Sequence, residues 1–200
     1  NGLGGYCPAS DFQNYYLWRL NDLIQKTSLG GLYLDQPAIR CSNAHHRCGY
    51  VNYKGQWTPR LPLFAMRQMV KRINRLFYDT HGKSFIRWHC SNQILVPVMS
   101  FININWDGEN YASGPLRVSE FYSKLLNEER LQAQHTGVPF GFAPDLLPEF
   151  NVAYAPTPAS VRDMMGLFMI HDSTSSPAHS AHDSLIRFLQ DKRFGVELAN

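Results

Sequence analysis

Three carboxylates stand where acid–base or nucleophilic chemistry would need them: Asp35, and the pair Asp107 and Glu109 on either side of Gly108. Asp35 ends the apolar run Leu32-Tyr33-Leu34 and precedes Gln36-Pro37, which places a carboxylate where a buried strand emerges into a loop. In a barrel of parallel strands that position faces bound substrate, as a nucleophile or a stabiliser of developing positive charge must. Asp107 and Glu109 follow a second apolar run, and either can protonate a leaving group if burial raises its pKa. Trp106 beside them offers an apolar wall or a face on which a sugar ring stacks. The plainer readings are a loop aspartate making a structural hydrogen bond at Asp35 and a solvated acidic turn at Asp107 and Glu109.

Polar and aromatic residues at other expected strand ends complete a sugar-sized site. Trp88-His89-Cys90-Ser91-Asn92 ends one strand and His171-Asp172-Ser173-Thr174 another. Tyr33, His89, Asn92, Trp106 and His171 are therefore expected to position substrate, although either histidine equally suits a packing role. No Gly-x-Ser-x-Gly elbow supports a serine nucleophile. The segment Cys41-Ser-Asn-Ala-His45-His46-Arg-Cys48 reads first as a loop disulfide, then as free thiols, and third as a metal site. No second Cys/His cluster is evident to close a tetrahedral site, so neither a metal nor any cofactor is expected. His179 and His182 read as part of a surface loop.

These groups need strands that end in polar residues and helices that return the chain. Ser10-Asp11 is a good N-cap, and Phe12, Tyr15, Tyr16, Leu20, Leu23 and Ile24 recur at helical spacing, which predicts a helix from Ser10 to Lys26. A strand Leu32–Asp35, a long loop from Ala38 to Pro62 and a helix from Leu63 to Thr80 follow. Next come a strand within Lys83–His89, a short helix or turn at Ile94–Met99 and a strand at Phe101–Trp106. The later part predicts a helix at Ser119–Ala133, a strand at Pro139–Phe142, a helix at Pro158–Met164, an apolar strand at Gly166–Ile170 and a helix at Ser184–Gln190. Strands alternating with helices indicate an α/β protein, either an open doubly wound sheet or part of a (β/α)8 TIM barrel. The glycine fingerprint of a dinucleotide site is absent, and long polar and aromatic loops after strands favour the barrel. A whole barrel takes about 250 residues, so residues 1–200 are expected to be one domain holding the later part of a barrel.

Composition bounds the function classes. With 44% apolar and 18% charged residues the chain is neither disordered nor fibrous. The net charge of +3 is spread thinly, and its one basic cluster, Arg67, Lys71, Arg72 and Arg75, falls on a helical face, so no nucleic-acid partner is expected. No apolar run is long enough for a membrane span. Four cysteines, an even number, permit disulfides and favour a secreted or periplasmic setting.

Several motifs carry a family resemblance. Tyr6-Cys7-Pro8-Ala9-Ser10, Gly31-Leu32-Tyr33-Leu34-Asp35-Gln36-Pro37, Cys41 to Tyr50 and Trp106-Asp107-Gly108-Glu109 resemble the catalytic barrel of glycoside hydrolase family 123 and its relatives. The resemblance implies a TIM barrel whose first strands precede Asn1, flanked by further domains of a longer chain. Family members are β-N-acetylgalactosaminidases that use an adjacent Asp-Glu pair and the substrate's own acetamido group. Asp35 matches the Asp, but Gln36 follows it, and a glutamine cannot be the general acid. An acid two strands later, Glu109 or Asp107, is similar instead to the layout of α-galactosidase-like and endo-α-N-acetylgalactosaminidase barrels. The expectation is a glycosidase acting on an N-acetylhexosaminide or galactoside, with Asp35 as nucleophile or stabiliser and Glu109 or Asp107 as general acid/base. The alternative is a non-catalytic carbohydrate-binding barrel.

Overall fold

Residue spacing becomes helix first in α1 (Phe12–Thr27), whose buried face is Gln13, Leu17, Leu20 and Ile24. The helix stops at Ser28, which turns left-handed (φ 55°) and returns its N–H to the carbonyl of Ile24. The computed structural model describes residues 6–37, 40–41, 43–89, 94–108, 128–137, 140–147, 165–171 and 173–175. By contacts the chain divides into two compact units, 1–105 and 106–200.

In the first unit, β1 (Leu32–Asp35) follows α1. The loop after it holds a 3-10 turn (Ala44–His46) and an antiparallel hairpin of β2 (Tyr50–Val51) and β3 (Trp57–Thr58). Asn52 closes that hairpin, its Oδ1 accepting the N–H groups of Lys54 and Gln56. α2 (Leu63–His81) buries Met66, Met69, Val70, Ile73 and Phe77, a stripe at helical spacing, and ends at Gly82 with φ 70°. Gln13 ties the two helices: its amide donates to the carbonyls of Pro8 and Ala65, and its oxygen accepts from Arg72 at 2.8 Å.

β4 (Ile86–His89) pairs parallel with β1, in a register that sets Leu32 against Ile86 and Asp35 against His89. Gly31 lets the two backbones approach, since a Cβ there would lie 2.6 Å from the carbonyl oxygen of Phe85. α3 (Val96–Met99) is a single turn, and the side chain of Asn103 accepts from the Ile86 N–H at the entry to β5 (Ile104–Asp107). α4 (Glu128–His135), β6 (Ala143–Leu146), a helix over 165–170 and β7 (Thr174–Ser175) follow in the second unit. There β6 and β7 are parallel neighbours, and the Thr174 hydroxyl donates to the carbonyl of Pro144.

The strands run β1-β4-β5-β6-β7 in one five-stranded sheet, an α/β arrangement, and no sheet closes among the described residues. The predicted strand at Gly166–Ile170 is helical instead. A short apolar run suits helix or buried strand alike, and Met169 and Ile170 stay 80% and 74% exposed, which a core strand would not allow. The strand predicted at Pro139–Phe142 lies a few residues later, at Ala143–Leu146, because Gly141 turns left-handed (φ 88°) just before it. The helix predicted from Ser119 is described from Glu128 and runs on to His135. Those predicted at Pro158–Met164 and Ser184–Gln190 lie outside the described residues.

Candidate functional site

Parallel pairing of β1 with β4 brings the carboxyl ends of both strands together, and three of the expected residues meet there. His89 Nδ1 lies 2.9 Å from Asp35 Oδ1, and the Tyr33 hydroxyl donates to the same oxygen at 3.2 Å. Tyr33 Oη is also 2.9 Å from His89 Nδ1, and the two rings stack 6.3 Å apart. The tautomer that lets His89 donate to the carboxylate carries its proton on Nδ1.

Burial divides the roles within this group. The His89 side chain is 7% exposed and the Asp35 side chain 63%. The imidazole is thus a fixed part of the wall, while the carboxylate stands in the open. Both donors converge on Oδ1, and Oδ2 has no hydrogen-bond partner among the described residues. One oxygen is held and the other is presented. Gln36, which follows, adopts a left-handed φ of 43° and donates its N–H to the His89 carbonyl at 2.8 Å. That bond extends the β1–β4 ladder one residue past the strand and turns the chain away at the carboxylate.

In the second unit Asp107 ends β5 and is 3% exposed. Its carbonyl accepts the N–H of Leu147 at 2.9 Å. Gly108 (φ 143°) permits this close pass, because a Cβ would lie 2.3 Å from the Leu147 oxygen. Trp106 is half-buried. A second buried carboxylate, Asp145 of β6, was not among the sequence candidates, and its signal is a lone acid inside the apolar run from Phe142 to Leu147. His171 does not end a strand as expected: it lies in the turn after the helix over 165–170, its N–H reaching the Phe168 carbonyl. Glu109 and Asn92 lie outside the described residues.

A cluster that the sequence showed only in part lies in the first unit. Cys7, Cys41 and Cys48 are free thiols whose sulfurs all lie within 4.8 Å of one another, with Cys7 and Cys48 at 3.4 Å. The loop disulfide expected between Cys41 and Cys48 is not formed, and Cys7, at 41 residues' distance from Cys48, joins them. Burial pushes the Cys48 thiol up to about 12 and raises Cys7 as well, whereas the Asn43 N–H lowers Cys41. Cys90 lies outside the described residues.

No family model, curated protein or solved structure matches this chain.

Proposed function

We propose that this chain carries part of the catalytic face of a glycoside hydrolase, with Asp35 as its nucleophile or cation stabiliser. The observation that carries the reading is the Asp35 carboxylate at the mouth of two parallel strands, one oxygen held by His89 and Tyr33 and the other unengaged. A carboxylate so oriented suits attack on an anomeric carbon or stabilisation of an oxocarbenium-like transition state. Glu109, or failing it Asp107, supplies the proton to the departing oxygen and then activates water. Trp106 and Asn92 position the sugar, as does His171. The open five-stranded sheet is read as the later part of a (β/α)8 barrel in a secreted or periplasmic protein, in keeping with the motif resemblance to glycoside hydrolase family 123.

The test is hydrolysis of α- and β-linked aryl glycosides, N-acetylhexosaminides and galactosides included, by the full-length parent protein and its Asp35→Asn and Glu109→Gln variants. General acid–base groups contribute about 10²- to 10⁴-fold to rate, so each variant is expected to lose at least about a hundredfold in kcat. Sugar binding without cleavage by the parent would sink the hydrolase and leave a carbohydrate-binding barrel, the reading that Gln36 after Asp35 favours.

A further inference from the structure

The thiol cluster is built from three separately anchored backbones. Cys7 begins a turn into α1, its carbonyl accepting both the N–H of Ser10 and, at 2.7 Å, the Ser10 hydroxyl. Cys41 is fixed by a two-way bridge to Arg60, with N···O distances of 2.9 and 3.0 Å. Cys48 follows the 3-10 turn that Asn43 caps through its side chain, and its own N–H returns to the Asn43 carbonyl at 3.0 Å. Each backbone is therefore held by local hydrogen bonds of its own.

The spacing fits a shared cation better than a bond between two sulfurs. A disulfide needs sulfurs about 2.05 Å apart and uses them in pairs, which would leave a third thiol beside it. Tetrahedral zinc with Zn–S bonds of about 2.3 Å holds its sulfurs about 3.8 Å from one another. The closest pair here is at 3.4 Å and all three lie within 4.8 Å, a triangle that closes on one ion with shifts of no more than about 1 Å. One further feature points the same way. The Asn43 N–H already donates to Cys41 Sγ at 3.4 Å, the kind of bond that steadies a ligating thiolate.

We propose that Cys7, Cys41 and Cys48 form a structural site for one zinc ion, with the fourth position filled by water. Each ligating thiol releases its proton to solvent, so three thiolates and Zn²⁺ form a centre of net charge −1. The stretch 36–62 suits that charge, for it contains Arg40, Arg47, Lys54 and Arg60 and no Asp or Glu. The ion clips the N-terminal turn to the loop that leaves the Asp35 end of β1. It gives that loop the rigidity that its short hairpin alone does not. The site is independent of the hydrolase reading and stands or falls separately.

The experiment is metal analysis of the 200-residue chain purified under reducing conditions without chelator, beside its Cys41→Ser and Cys90→Ser variants. Cys41 is the least buried of the three thiols, so its replacement is the one that leaves the core intact. The expected result is about one zinc per chain in the parent and in Cys90→Ser, with most of it lost in Cys41→Ser. Cobalt(II) added to the stripped protein is expected to give thiolate-to-metal charge-transfer absorption, and chelator to lower the Tm reversibly. Absence of bound metal, or a non-reducing peptide map that joins Cys7 to Cys41 or Cys48, would overturn the proposal.

Discussion

At the scale of single residues, hydrogen bonds set what the Asp35 carboxylate can do. Removing the Tyr33 hydroxyl deletes one neutral donor, worth about 1 kcal/mol, so under the proposed hydrolase function Tyr33→Phe is expected to lower kcat/KM toward the best aryl glycoside by about tenfold or less. His89→Ala removes the buried wall as well as the donor and should cost about a hundredfold, because misplacement of a reacting group by about 1 Å does so. Equal losses in the two variants would mean that the carboxylate does not depend on its buried partner. His135 is a different case. Burial holds its imidazole down at about 4, against 6.5 for the free side chain, and neither ring nitrogen has a partner among the described residues. Between those values the unfolded chain binds the extra proton, so stability is full above pH 6.5 and is lost as pH falls toward 4. The loss approaches about 3 kcal/mol, and in His135→Leu it should be absent when urea unfolding is followed from pH 7 to 4. A variant that tracks the parent over that range would show that the imidazole is protonated without cost.

At the scale of elements, α2 is the strongest piece of local design in the chain. Its buried stripe includes Ile73 and Phe77, both 0% exposed, whereas Phe64 near its start is 82% exposed. Phe77→Ala should therefore destabilise by about 3–5 kcal/mol and Phe64→Ala by under about 0.5 kcal/mol, measured by urea denaturation. Comparable costs at both positions would mean that the exposed face of α2 is covered in solution. On the same helix Arg72 is engaged by Gln13 and Asn14, Arg75 by Asp79, and Arg67 lies 4.9 Å over the Phe101 ring. Elements with long periodic patterns were legible from sequence almost to the residue, as α1 and α2 show. The run Gly166–Ile170 was not, since five apolar residues satisfy two periods at once and only their exposure separates them.

At the scale of the whole molecule, the division between the two units falls between Asn105 and Trp106, inside β5, and so not at a linker. A chain cut there leaves two residues of that strand on each side. Residues 1–105 expressed alone are expected to lack a sharp thermal transition, as read by circular dichroism; a cooperative melt would make the first unit an independent domain. Among the described residues no helix is long and apolar enough to cross a membrane.

What the sequence determined by itself is local: helix faces, the strand that ends in Asp35, and the presence of carboxylates, aromatics and cysteines in useful places. These follow from spacing along the chain, where side-chain period and capping residues act within a few positions. Only the tertiary structure decided which of them meet. Asp35 and His89 are 54 residues apart, and they face each other because β1 and β4 pair parallel in one register, where a shift by one residue would turn the carboxylate to the other face. Cys7 reaches Cys48 across 41 residues for a similar reason, since the turn before α1 and the capped loop after β1 are brought together by packing that no local pattern records.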